Sequence, residues 1–192
     1  VTGKEEGMRN LPNLISLMRL LLVPLTVWLI ISDAFGWAFI TFMVAGVSDG
    51  IDGFLARRFD WRTRLGAYLD PLADKALLVS VYVTLGFVKE LPAWLVIIVV
   101  SRDALIVGAV VLSRLMDHPV HVAPLMISKL NTLAQISFAV AVLGFAAAGR
   151  PITTLVEYGS IPVALLTVLS GAAYLKEWLR HMAEEPNEDR RP

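Results

Sequence analysis

The chain contains no cysteine. Disulfides, thiolate metal sites and cysteine nucleophiles are therefore excluded, and the redox compartment goes unreported. Histidine is scarce, at three residues. His118 and His121 share a Pro-flanked loop, and with no cysteine and no third ligand nearby that loop offers no zinc site. Net charge is missing as well, because Lys plus Arg and Asp plus Glu are 17 each among 192 residues. A balanced chain exerts no electrostatic pull on a strongly charged partner, and no nucleic-acid partner is expected. Internal repeats and low-complexity tracts are absent from the sequence too.

What is present is apolar. Hydrophobic residues make up 56% and charged residues 18%, far from the balance of a soluble domain. About 20 apolar residues cross a hydrocarbon core. The runs predict an all-α, polytopic membrane protein with six transmembrane helices, over Leu11–Ile31, Gly36–Arg57, Gly66–Val88, Ala93–Leu115, Ser128–Ala148 and Gly159–Trp178. The first run is too long for a signal peptide, and no small-residue cleavage site follows it. Residues 1–10 read as a polar extension, with Val1–Gly7 an added or alternative-start segment before Met8. Residues 11–182 form the six-helix domain, and the polar, Pro-containing residues 183–192 are expected to be disordered.

The connections sort the basic residues. SDAF, KELP and GRPITTLVEY fall on one side, where the cations are Lys89 and Arg150. RRFDWRTR, MDHPVHVAP and both termini fall on the other, with nearly all remaining Lys and Arg. The positive-inside rule then places both termini on the cytoplasmic side. Trp28, Trp37, Trp94 and Trp178 lie near helix ends and read as interfacial anchors. GFAAAG and SGAAY read as helix packing.

Against this background four carboxylates stand out in SDGIDGFLARRFDWRTRLGAYLDPLADK, residues 48–75. Ionisable groups in a bilayer are costly and mark a functional site by default. Asp49 and Asp52 are i and i+3 on one helix face, with Gly53 and Ala56 on or beside it and Arg57 just beyond. Gly66, Asp70 and Asp74 run i, i+4, i+8. Pro71 either opens a helix capped by Asp70 or kinks a longer one. Two short-linked helices pack antiparallel, so the aspartate pairs can face each other near the cytoplasmic surface. Four carboxylates there need counter-charge, and oxygen-only ligands suit Mg²⁺ or Mn²⁺, with two ions able to clamp a diphosphate. Asp60, among Arg58, Trp61 and Arg62, reads as a solvated loop residue.

The segment fits D-x2-D-G-x2-A-R-x8-G-x3-D-x3-D at every position, through Asp49, Asp52, Gly53, Ala56, Arg57, Gly66, Asp70 and Asp74. It resembles the CDP-alcohol phosphatidyltransferases, and the six-helix count resembles their fold over nearly the whole chain. The resemblance implies a homodimer that moves a phosphatidyl group from CDP-diacylglycerol to an alcohol and releases CMP. It implies that Asp49, Asp52, Asp70 and Asp74 hold two Mg²⁺ or Mn²⁺ ions, and that Asp74 is the general base. It assigns Gly53 and Arg57 to the nucleotide diphosphate, and Ala56 and Gly66 to room for the CMP moiety.

The acceptor is read from weaker signals. NLPNLISLMRLLLVPL resembles the first helix of both the phosphatidylglycerophosphate and the cardiolipin synthase branches, while ISRDALIV and MISKLNTLAQ are similar to the CMP-forming cardiolipin synthases. In phosphatidylglycerophosphate synthases Arg-Glu more often stands at Arg102-Asp103, and Gly-Lys-x-Lys-Thr tends to stand at Ser128–Thr132. There Asn131 replaces a lysine that would help hold glycerol 3-phosphate. Phosphatidylglycerol is thus the preferred acceptor, and glycerol 3-phosphate the alternative. Arg19, Arg102, Asp103, Arg114, Lys129 and Asn131 are the candidate acceptor or phosphate contacts. Each has a bland alternative: Arg102 and Asp103 can neutralise each other, and Lys129 can snorkel to headgroups. Capping is the bland alternative for Asn10 and Asn13, and Asn10 reads as a cap. Arg19 sits inside the first helix, where an anionic lipid or phosphate would be its partner. The setting expected is a bacterial inner membrane, in contact with membrane lipids.

Three rival classes fit less well. An intramembrane cation transporter predicts acidic groups at the midplane and paired broken helices. A membrane prenyltransferase carries different Asp-rich motifs and more helices. An intramembrane aspartyl protease needs Tyr-Asp and Gly-x-Gly-Asp, both absent from the sequence.

Overall fold

The protein is described by a computed structural model covering the backbone of residues 11–59, 64–115 and 126–183, with side chains over 17–51, 75–109, 111–113 and 126–180. Asp60, His118, His121, the polar extension and the residues from 184 onward lie outside the described residues. The described backbone is all-helical, in six helices. They are α1 (Leu11–Ile31), α2 (Phe35–Phe59), α3 (Arg64–Phe87), α4 (Ala93–Leu115), α5 (Met126–Ala147) and α6 (Thr153–Ala183).

Three of the connections are tight for a shared reason. Each helix end turns on one residue in the left-handed region: Asp33 (φ 55°), Lys89 (φ 64°) and Gly149 (φ 64°). At each, the next N–H reaches back to cap the helix, as in Ala34 N to Leu29 O at 2.9 Å, Glu90 N to Leu85 O at 2.9 Å and Arg150 N to Phe145 O at 3.0 Å. With a second bond from the left-handed residue itself, this is a Schellman cap, which satisfies carbonyls the helix would leave bare.

One expectation is corrected, and one of two open alternatives is excluded. The last helix begins at Thr153, not Gly159, and continues past Trp178 to Ala183. The polar residues of PITTLVEY suggested a loop, yet Thr153, Thr154 and Glu157 are exposed while Ile152, Leu155, Val156 and Gly159 are less so. That is helical spacing on a two-faced first turn. Pro71 lies inside α3, so Asp70 does not cap a helix starting there. The other ends agree within the fraying of a turn.

Burial departs from that of a soluble protein: beside an apolar interior, many large apolar side chains face outward and several polar ones are sealed in. Large apolar side chains are exposed, among them Leu21, Trp28, Trp37, Phe87, Ile97 and Leu165. Arg19, Arg102, Asp103, Asn131, Gln135 and Thr167 are buried. Such a surface suits lipid, in which polar groups must find partners inside the protein. α4 over Ala93–Ser113, α5 over Met126–Ala147 and α6 over Thr153–Arg180 are long and apolar enough to cross a membrane. The described apolar stretches of the first three helices are shorter, Leu17–Ile31, Phe35–Ile51 and Lys75–Phe87.

The chain divides into two compact units. One comprises Val1–Pro92 and Ala139–Val156, the other Ala93–Phe138 and Glu157–Pro192. In the first, α1 packs along both α2 and α3, which meet each other at fewer of the described positions. Ile30, Ala38, Phe42, Ala45, Val81, Leu85, Val142 and Leu143 form its interior. Gly144 lets α5 approach α2, since a Cβ there would lie 3.3 Å from the Phe39 ring. In the second, Leu95, Val99, Phe138 and Val163 are buried. Gly159 is needed there, because a Cβ would stand 2.5 Å from Phe138. Among lipid chains such close packing and internal hydrogen bonds, rather than expulsion of water, bring helices together.

Candidate active site

The aspartate pattern falls on two helices of the first unit. Asp49, Asp52, Gly53, Ala56 and Arg57 sit on α2, and Gly66, Asp70 and Asp74 on α3. Continuous helix through both segments makes the i, i+3, i+4 and i, i+4, i+8 spacings real faces rather than loop positions. α1 is the element that packs against both carriers. Of the four carboxylates, Asp49 has a described side chain; those of Asp52, Asp70 and Asp74, with Arg57, lie outside the described residues.

Asp49 is held from α1. Arg19 Nη1 forms an ion pair with Asp49 Oδ1 at 2.6 Å, with the arginine side chain 0% exposed and the aspartate 39%. About two turns along the same hairpin, Thr26 Oγ1 donates to Thr41 Oγ1 at 3.1 Å. The two contacts share one antiparallel register between α1 and α2. A carboxylate is thus one partner of Arg19 in the structure. The ion pair is made through Asp49 Oδ1.

Donor chemistry decides whether a metal suits these residues. The four candidates are all carboxylates, hard oxygen donors that match Mg²⁺ and Mn²⁺. Among the described residues no group of three His, Asp or Glu gathers elsewhere to compete for an ion. Asp49, half-exposed with one oxygen engaged, fits the part of a ligand steadied from behind.

The second unit carries a different polar cluster. Arg102 Nη1 donates to Asp103 Oδ1 at 2.6 Å, and Nη2 to Ser128 Oγ at 2.6 Å and Ser170 Oγ at 2.7 Å. Both charged side chains are buried, 5% and 9% exposed. Gly171 admits the stem of Arg102, whose Cγ would lie 3.5 Å from a Cβ there. One arginine thus joins α4, α5 and α6. Beside it Thr167 Oγ1 lies 2.8 Å from Asn131 Oδ1 and 2.7 Å from Val163 O, and accepts from Gln135 Nε2 at 3.1 Å. Asn131 is fully buried, and its Nδ2 has no partner among the described residues.

Lys129 is exposed near the start of α5, and Arg114 lies on α4 with its side chain outside the described residues. Trp178 is half-buried and gives its indole N–H to Ser113 Oγ at 2.8 Å, so it ties α6 to α4 where an outward-facing anchor was expected. Ser128, Gln135, Thr167 and Ser170 were not singled out by the sequence reading. Their signal was present: Ser128, Asn131 and Gln135 fall at i, i+3, i+7 in an apolar helix, as a buried polar stripe should. SGAAY, read as packing alone, also supplies the Ser170 acceptor.

Comparison with known proteins extends these observations. The family description "CDP-alcohol phosphatidyltransferase" matches residues 9–178. The chain is 38% identical over 160 residues to CDP-diacylglycerol–glycerol-3-phosphate 3-phosphatidyltransferase 1, chloroplastic, of Oryza sativa, covering 74% of this chain and 49% of that protein. It is 38% identical over 122 residues to a cardiolipin synthase (CMP-forming) of Streptomyces coelicolor, covering 60% and 57%. It is 35% identical over 147 residues to a human cardiolipin synthase (CMP-forming), covering 68% and 49%. The chain spans about half the length of the curated relatives it matches.

Proposed function

The chain belongs to the CDP-alcohol phosphatidyltransferase family, and from that premise we propose that it makes phospholipid by transferring a phosphatidyl group from CDP-diacylglycerol to an alcohol. The observation that carries this reading is the complete aspartate pattern on α2 and α3, two helices that share α1 as a neighbour. Two Mg²⁺ or Mn²⁺ ions held by Asp49, Asp52, Asp70 and Asp74 would supply positive charge to the diphosphate. Gly53 and Ala56, without bulk on the aspartate face, leave room for the nucleotide, as does Gly66 on α3. Arg57, one turn past Gly53, meets a phosphate oxygen.

Asp74 takes the proton of the acceptor hydroxyl. The hydroxyl oxygen bonds to the lipid-side phosphorus as its bond to the CMP oxygen breaks, and CMP leaves with the electron pair. A carboxylate is a weak base, so its worth lies in placement beside a hydroxyl that turns acidic in the transition state. Phosphoryl transfer asks for position and charge more than for covalent help.

Phosphatidylglycerol is the acceptor we favour, giving cardiolipin. The buried, uncharged Asn131 supports this: its Nδ2 is a neutral donor, suited to a hydroxyl or ester oxygen more than to a phosphate dianion. Lys129 and Arg114 would meet the acceptor's phosphate. Arg102 and Asp103 neutralise each other and hold α4, α5 and α6 together, and so offer little net charge to a substrate. The second reading, transfer to glycerol 3-phosphate, is favoured by the name of the rice relative. In either case the proposal is a homodimer with six spans in a bacterial inner membrane, and the distribution of Lys and Arg favours a cytoplasmic site and termini.

The test is CMP release from CDP-diacylglycerol by the purified chain in detergent with Mg²⁺ or Mn²⁺, each acceptor offered alone and products weighed by mass spectrometry. Cardiolipin from phosphatidylglycerol is the expected product. Product from glycerol 3-phosphate alone would move the chain to the second reading, and no CMP with any alcohol would end both.

A further inference from the structure

Arg19 poses a physical question that the proposed chemistry does not answer. An arginine buried inside an apolar helix is costly unless it is partnered. Arg19 is among the most deeply buried large side chains described, and it reaches a carboxylate on the next helix. A purely structural ion pair can bury both partners, as Arg102 and Asp103 are buried. Here the cation is 0% exposed while the carboxylate is 39% exposed. Such asymmetry suits an arginine that supports a carboxylate from behind and leaves its front accessible.

We propose that Arg19 is a positioning residue for the metal site, fixing Asp49 through Oδ1 so that Oδ2 remains the atom available to a divalent ion. This rests on reading Asp49 as a metal ligand. The Arg19–Asp49 pair lies in the same register as the Thr26–Thr41 contact, so α1 and α2 are already aligned when the pair forms. An aspartate on a helix has several rotamers, and an ion must select one. The short charged contact selects it beforehand. A carboxylate fixed by a partner outside the coordination sphere is a recurrent device, and losing that partner typically weakens metal affinity 10–100-fold.

The sign of the effect separates this role from its competitors. Bare electrostatics says that removing a cation near the site tightens the binding of another cation. A phosphate-binding role for Arg19 would weaken CDP-lipid binding and leave the ion's affinity level or tighter. A purely architectural role would lower thermal stability and leave the affinity of the folded protein alone. Positioning makes the ion bind more weakly.

The experiment is a Mn²⁺ titration of the full chain in detergent, read as free-ion signal by electron paramagnetic resonance without substrate, on Arg19→Gln, Arg19→Lys and Asp49→Ala. Arg19→Gln should raise the Mn²⁺ Kd by about 10–100-fold with helical content retained. Arg19→Lys, which keeps the charge but not the fork, should fall between Arg19→Gln and wild type. If Arg19→Gln fails to fold, the lysine variant decides, a raised Kd supporting the role and a wild-type Kd overturning it. Wild-type or tighter Mn²⁺ binding by folded Arg19→Gln would also overturn it. Asp49→Ala isolates the underlying reading: Mn²⁺ binding unchanged in that variant removes Asp49 from the ligand set, whereas loss in Asp49→Ala with none in Arg19→Gln sinks the positioning role alone.

Discussion

Two arginine–aspartate pairs, both closed at 2.6 Å, do opposite things. Arg19 and Asp49 join neighbouring helices and leave the carboxylate 39% exposed. Arg102 and Asp103 are adjacent in sequence, are both nearly sealed, and spend the remaining guanidinium donors on Ser128 and Ser170. The difference teaches that distance alone does not identify a functional ion pair. What the partners leave available does: the first pair offers a carboxylate to something outside it, and the second offers almost nothing. In the first unit charge is presented, and in the second it is consumed in holding helices together.

The comparison breaks most visibly at the chemistry. Asp74→Asn should lower CMP release by at least about 10²–10⁴-fold, the usual worth of a general base, with helical content unchanged; a turnover near wild type would remove Asp74 from that role. On the other side of the comparison, Arg102→Ala removes one partner of a buried carboxylate, and breaking a buried ion pair typically costs about 3–5 kcal/mol. A fall in the detergent thermal midpoint should accompany it, and a midpoint near wild type would show that the cluster locks nothing. Smaller again is Gly159→Ala, whose new methyl group meets the Phe138 ring. Overpacking of this kind costs about 1–3 kcal/mol, and an unchanged midpoint would mean that the ring moves aside freely.

Much of this was legible in the residues, and the rest was not for identifiable reasons. The bounds of α1 and α4 follow from apolar run length, because a span must be continuous. The aspartate faces follow from helical spacing. The start of α6 was misread because Thr153, Thr154 and Glu157 look like a loop when taken one by one, although their spacing is that of a helix face. Partners were the hardest part. Periodicity gives the face on which Arg19 or Arg102 lies, but which side chain waits across the gap depends on the register between helices. The turn at Asp33 fixes that register for α1 and α2, and with it Arg19 meets Asp49. Gly171 was seen as a packing residue without the arginine stem it admits.

The measurement that most directly tests this division of labour is Mn²⁺ affinity in Asp49→Asn beside Asp103→Asn, each compared with wild type in the same detergent. The account predicts at least about a tenfold loss in Asp49→Asn, in the range for a disturbed metal site, and a wild-type Kd in folded Asp103→Asn. Equal losses in the two variants, or a loss confined to Asp103→Asn, would contradict it.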